Sequence, residues 1–193
     1  MNTKNQLLED YASAFIGHLE QLEQQDDRGA LATLRRSLVD PGNNFSAFPI
    51  IGSFFPPDIK PWELERLLVV AGLYAIHQSN MADGKSLGHS LRRLRTAVTD
   101  QDHHSLDLLV SALLNAEEED LSIRLRHVVS RLASKDIAID YAQLLRDVRA
   151  WSNSRRYVQR KWAHDYWVGT SDKADESGSK QKDEATIDTG ITE

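Results

Sequence analysis

The stretch LSIRLRHVVSRLASKDIAIDYAQLLRDVRAWSNSRRYVQRKWAHDYW, residues 121–167, spaces its apolar side chains three and four positions apart. That is the period of a helix with one buried face. Leu121, Leu125, Val128, Val129 and Leu132 form a first stripe, Leu144, Leu145 and Val148 a second, and Val158, Trp162 and Tyr166 a third. Asp140 followed three residues later by Gln143 resembles a capping box, in which each residue satisfies a free N–H at a helix start. Ser152-Asn153-Ser154 is a run of turn residues that ends the middle helix. The stretch therefore reads as three helices and sets an all-α expectation for the whole chain. It is also basic: ten Lys/Arg stand against four Asp/Glu, in a chain whose net charge is −6.

Working outward, the same period recurs. Leu7, Leu8, Tyr11, Phe15 and Leu19 fit one face of a first helix. Leu31, Leu34 and Leu38 fit a short second helix, ended by the turn cluster Asp40-Pro41-Gly42-Asn43. Residues 44–60 are apolar but carry Pro49, Gly52, Pro56 and Pro57. So many missing ladder donors argue against a strand, so an irregular loop is expected there, tucking Phe45, Phe48, Phe54 and Phe55 into the core. Pro61 suits a first helical turn, and Trp62 to His77 is apolar on most sides, which predicts the central buried helix. Gly72 inside it reads as a point of close packing. After a turn at Asp83-Gly84, Leu87, Leu91, Leu94 and Val98 mark another helix. Asp102 is expected to cap the next, which carries Leu106, Leu109, Val110 and Leu113. Beyond Val168 the chain turns to Ser, Gly, Lys, Asp, Glu and Thr, a composition that cannot bury a core. The expected architecture is an all-α bundle of seven to eight short helices forming one domain, residues 1–168, with a disordered acidic tail, 169–193.

Composition narrows the function. The absence of cysteine excludes a disulfide framework, a thiolate metal site and a cysteine nucleophile. The first fifteen residues lack a signal-peptide pattern. The longest apolar run, Leu67 to Ile76, spans about ten residues against the ~20 needed to cross a bilayer. A soluble, cytoplasmic protein with no membrane partner is expected. Charge is segregated: residues 1–27 sum to −5 and 168–193 to −4, while 28–167 carry nineteen basic against sixteen acidic residues. The acidic balance thus belongs to the two ends.

No catalytic constellation stands out. His103-His104 with Asp107 places imidazole and carboxylate a turn apart, yet no third ligand lies nearby. His164-Asp165 resembles a phosphohydrolase dyad, but every later Asp falls in the tail. Phosphate loops, dinucleotide-binding glycines and nucleophile elbows are absent from the sequence. A non-enzymatic protein with no cofactor and no metal is expected.

The basic residues are the remaining signal. On a helical wheel of 121–135, Arg124, His127, Arg131 and Lys135 fall on a stripe flanking the apolar one. Arg92 and His89 point away from the leucines of the 87–98 helix, with Lys85 before it on the same side. Arg28 and Arg35 share a side near Arg36, and Arg155, Arg156, Arg160 and Lys161 crown the last helix. Charges opposite an apolar stripe occur on any surface helix. Here the sign bias and the excess of Arg over Lys favour a phosphate partner, because the guanidinium fork donates to phosphate bidentately. Tyr141, Trp151, Tyr157, Trp162, Tyr166 and Trp167 offer stacking surfaces for bases, although their helical spacing assigns most of them to the core.

Six segments carry a family resemblance: RGALATLRR (28–36), VAGLY (70–74), SLGHSLRRL (86–94), LRHVV (125–129), DYAQLL (140–145) and RRYVQRKWA (155–163). In this order and spacing, across roughly residues 8–168, the chain resembles the CasB family, the small subunit of the type I-E CRISPR surveillance complex, Cascade. The resemblance implies a non-enzymatic, all-α protein present in two copies beside the backbone and large subunits of that complex. It further implies basic contacts to guide RNA and to the target and non-target DNA strands, which stabilise the R-loop. The matching basic positions are Arg35, Arg36, Arg92, Arg93, Arg124, Arg126, Arg131, Lys135, Arg155 and Arg156, with Lys85 beside them; His127 stands where many relatives are basic. The competing expectation is a helical protein–protein adaptor whose basic face docks an acidic partner.

Overall fold

A computed structural model describes residues 3–39, 45–55 and 58–169, with side chains described from Tyr11 onward. Among them the secondary structure is helical: α1 (Thr3–Gln24), α2 (Arg28–Ser37), α3 (Phe48–Ile51), α4 (Pro61–Ile76), α5 (Leu87–Ala97), α6 (Asp100–Leu114), α7 (Leu121–Ala133), α8 (Tyr141–Arg149) and α9 (Tyr157–Trp167). Eight are helices of the expected kind. The ninth, α3, is a single turn flanked by two 3-10 turns, Phe45–Ala47 and Gly52–Phe54, in the segment expected to be irregular. Pro49 sits in the first turn of α3, where its missing N–H costs nothing. The 40–43 turn and the 170–193 tail lie outside the described residues.

The core is built around α4, where residues Arg66 through Ala75 are all buried. A residue run buried on every side needs neighbours on every side, and α2, α7 and α8 pack against it, with α1 closing over α8. Gly72 is the close-packing point the sequence suggests. A Cβ there would lie 2.4 Å from Leu38 Cγ and 2.8 Å from the Leu34 carbonyl oxygen. Gly88 plays the same part between α5 and α9, where a Cβ would meet the Trp162 carbonyl oxygen at 2.3 Å. Two helices can approach this closely only where one of them presents no side chain.

Local expectations fare unevenly. Asp140 caps α8, its Oδ1 accepting from the Gln143 N–H at 2.7 Å, but the Gln143 side chain turns away to donate to Asp147. One half of the capping box forms. Asp102 is not the cap of α6: Thr99 occupies that position, and Asp102, in the first turn, accepts from the Thr99 hydroxyl. Phe45 is not tucked into the core but is 65% exposed. The anchor of its segment is Phe54, whose ring meets Phe15 edge-on at 5.3 Å. Phe48, Phe54 and Phe55 are partly buried against the core, and Phe45 is left outside it.

Two connections are stitched together over a long sequence distance. A parallel bridge pairs Asn80 with Ile139, with the Ile139 N–H donating to Ser79 O and the Met81 N–H to Ile139 O, both at 3.0 Å. Asp140 then splits its carboxylate: Oδ1 caps α8 while Oδ2 accepts from the Gly84 N–H at 2.7 Å.

Candidate nucleic-acid interface

The basic side chains divide into those the fold uses and those it leaves free. Arg35 is used: its Nε and Nη2 both donate to the Ala75 carbonyl oxygen, at 3.1 and 2.7 Å, closing the C-terminal end of α4. Arg156 is used likewise, its Nη2 donating to Leu114 O at 2.6 Å at the end of α6. Both satisfy carbonyls that a helix end otherwise leaves without a partner. Arg36 donates to the Thr33 hydroxyl at 3.2 Å on the surface of α2. Arg66, Arg95 and Arg149 are bound to Glu118, Asp107 and Glu63 respectively. Arg149 also lies over the Tyr11 ring, 5.6 Å from its centroid.

A second group makes no side-chain hydrogen bond or ion pair among the described residues: Lys85, Arg92, Arg93, Arg124, Arg126, Arg131, Lys135 and Arg155. Of these, Arg92 and Arg124 are half-buried and the rest are exposed. The proposed stripe on α7 survives in part. Arg124, His127 and Arg131 share one flank, but α7 ends at Ala133, so Lys135 sits in the following turn and not on the helix. Arg126 stands on the other flank, roughly 160° around from Arg124 at about 100° per residue. Between the flanks Ile123 is 53% exposed.

The aromatic residues divide too. Tyr141, Trp151, Trp162 and Tyr166 are buried, as helical spacing indicates, and Tyr157 and Trp167 are about half-exposed. Trp162 donates its indole N–H to Asp147 at 2.7 Å. Burial raises the Asp147 carboxyl above its ordinary range, against the opposing pull of that bond and the one from Gln143.

The two histidine sites are occupied by structural contacts. His103 Nε2 bonds to the Arg95 carbonyl oxygen at 2.8 Å. Asp107 accepts from the Tyr166 hydroxyl at 2.6 Å and from Arg95 Nε at 3.3 Å. The Tyr166 hydrogen bond, aided by Arg95, holds the Asp107 carboxyl below the usual range. Asp165, of the second pair, accepts from the Ser86 hydroxyl at 2.6 Å. Among the described residues no three His, Asp or Glu side chains gather as a metal-binding group, and no helix is long and apolar enough to cross a membrane.

Residues 30–167 match the family model described as CRISPR-associated protein Cse2. The chain belongs to the Cse2 family. The Cse2 protein of Thermus thermophilus is 31% identical over 163 residues, covering 82% of this chain and 92% of its own. The crystal structure of CasB from Thermus thermophilus superposes with a TM-score of 0.69 at 31% identity, covering 81% of this chain and 97% of that one. M. ruber CasB gives 0.68 at 31% identity, covering 81% and 92%. A chain of a CRISPR RNA-guided surveillance complex shares the fold, at 22% identity and a TM-score of 0.65, over 82% of this chain and 92% of that one. The CasB resemblance seen in the sequence is therefore established at the level of family and fold. The tail, residues 168–193, lies beyond the matched region.

Proposed function

We propose that this Cse2-family chain is a non-catalytic small subunit of a type I-E CRISPR surveillance complex in the cytoplasm. It binds the phosphate backbones of the R-loop, the guide–target hybrid and the displaced DNA strand, through its free basic side chains. The observation that carries this reading is the set of cations that make no side-chain hydrogen bond or ion pair among the described residues, on α5, α7 and the turn before α9: Arg92, Arg93, Arg124, Arg126, Arg131 and Arg155, with Lys85 and Lys135 beside them. A cation held by no carboxylate keeps its full attraction for phosphate, and each phosphate neutralised releases a counterion. Exchanging a DNA duplex for an RNA–DNA hybrid is nearly balanced in free energy, so a few such contacts suffice to tip it. Backbone contacts alone leave the bases unread. Arg35 and Arg156, which serve helix ends, contribute less to this surface than their sequence positions imply. Other Cascade subunits and a second copy of the chain are the protein partners of this reading.

The adaptor reading has one observation in its favour: exposed Ile123 on α7 and Leu108 on α6 are apolar, as a protein interface would have them. The test is binding of the full chain, and of the assembled complex, to single-stranded DNA across a salt series. Phosphate binding gives a logarithmic affinity that falls linearly with logarithmic salt, by about 0.7 per contact on a single strand. A flat response would assign the surface to an acidic protein instead.

A further inference from the structure

Trp167, 47% exposed, ends α9 and borders a cavity of about 350 Å³ between α5, α6 and the end of α9. Tyr166, which lines the same cavity, braces Trp167. The ring packs edge-on against Tyr166, centroids 4.9 Å apart at 79°, and Tyr166 is itself buried and anchored through its hydroxyl to Asp107. Arg92 lies along another wall, its guanidinium pressed against Gly169, where a Cβ would stand 1.9 Å from Nη1. Gly169 has φ +69, a conformation suited to glycine, so the backbone there makes room for the arginine.

The charges of the cavity limit what it can hold. Arg95 is neutralised by Asp107, and Asp100 faces His103 at 3.5 Å. That leaves Arg92 as the one cation of the lining without a partner among the described residues. A ligand dense in negative charge would find too little to pair with. A planar, neutral group with a single phosphate beside it fits: an exposed indole to pack against, and Arg92 at the edge. Arg93, the neighbour of Arg92, is exposed and makes no side-chain hydrogen bond or ion pair among the described residues.

We propose that this cavity seats one unpaired nucleobase against Trp167, while Arg92 and Arg93 hold the phosphates flanking it. The inference rests on the phosphate-binding reading of α5 and adds to it a base-stacking point. It gives the surface a preference for unpaired strands over duplex, since a paired base has no free face to offer. It carries no sequence preference, because every base has a stacking face.

The experiment compares binding of the full chain to an oligothymidine and to a base-free phosphodiester chain of the same length. Wild type is expected to prefer the oligothymidine by about tenfold, the order of one base–aromatic stack. Trp167→Ala should remove that preference and leave the base-free affinity and the salt slope unchanged, while Trp167→Phe restores most of it. Equal affinity of wild type for both polymers overturns the stacking site and leaves the phosphate reading standing. Salt-independent or absent binding of both overturns the two together. A base preference that emerges only after deletion of residues 170–193 would mean that the acidic tail fills the cavity in the full chain, and it too would overturn the proposal.

Discussion

Helices α7 and α8 come from the same basic run, and the fold treats their arginines in opposite ways. On α7, Arg124, Arg126 and Arg131 make no side-chain hydrogen bond or ion pair among the described residues. On α8, Arg146 donates to the Gln143 side-chain oxygen and Arg149 to Glu63 at 2.6 Å. For Arg149 the difference follows from placement, whereas Arg146 finds its partner on its own helix. Helix α8 packs between α1 and α4, so its flanks face other helices and meet the acidic first turn of α4. The opposite faces of α7 remain in solvent. Sequence periodicity locates an arginine on a helix, but only the surroundings of that helix decide whether its charge is spent within the fold.

This contrast can be broken most sharply at Arg149. Arg149→Ala leaves Glu63 half-buried without its cation and removes the contact over Tyr11. A loss of about 2 kcal/mol in denaturant unfolding is expected, because a partly buried charge stripped of its partner keeps its desolvation cost. DNA affinity of the folded protein should not change. The reciprocal test is the triple change of Arg124, Arg126 and Arg131 to Ala. Stability should shift by no more than about 0.5 kcal/mol per substitution, as for surface positions whose charge has no partner to lose. The salt slope for single-stranded DNA should fall by about two, at ~0.7 per lost contact. A stability loss equal to that of Arg149→Ala would erase the distinction between the two helices.

A finer test uses acidic groups. Asp147, on α8, has its folded carboxyl raised by burial above the ordinary value of 3.8. The folded state therefore holds that proton more tightly than the unfolded chain. Its contribution to stability falls as pH rises from below 3.8 through the folded value. Asp107, on α6, is lowered by the Tyr166 hydrogen bond, so its contribution is present above 3.8 and is lost as pH falls through the folded value. Unfolding measured across the acid range should lose opposite limbs in Asp147→Asn and Asp107→Asn. Limbs of the same sign in the two variants would contradict the assigned causes.

How much of this was legible in the sequence follows from the range of the interactions. The buried stripes of α5, α7 and α9, the central position of α4 and the close approach at Gly72 are written in local spacing, because a helix repeats its own pattern. The fate of each arginine is not. Arg35 reaches a carbonyl 40 residues away, Arg156 one 42 residues away and Arg149 a carboxylate 86 residues away. No periodicity encodes such partners, so a count of basic residues treated helix-capping cations as part of the surface. The exposure of Phe45 before α4 was also invisible. Apolar composition states that a residue prefers burial, and the packing around it decides whether it is buried. The exposure of Trp167 at the end of α9 had one local signal, its place two residues before Gly169, just past the end of the helix.

The divided carboxylate of Asp140 has a consequence for how the molecule folds. Alone, α8 is nine residues long, too short to persist in water. Its capping residue is also fastened to a loop 56 positions earlier in the chain. Closing so long a loop has an entropic cost that is not repaid until the far contacts form. The start of α8 and the 79–84 turn should therefore become protected from hydrogen exchange together, as one late event, after the locally encoded helices have formed around them.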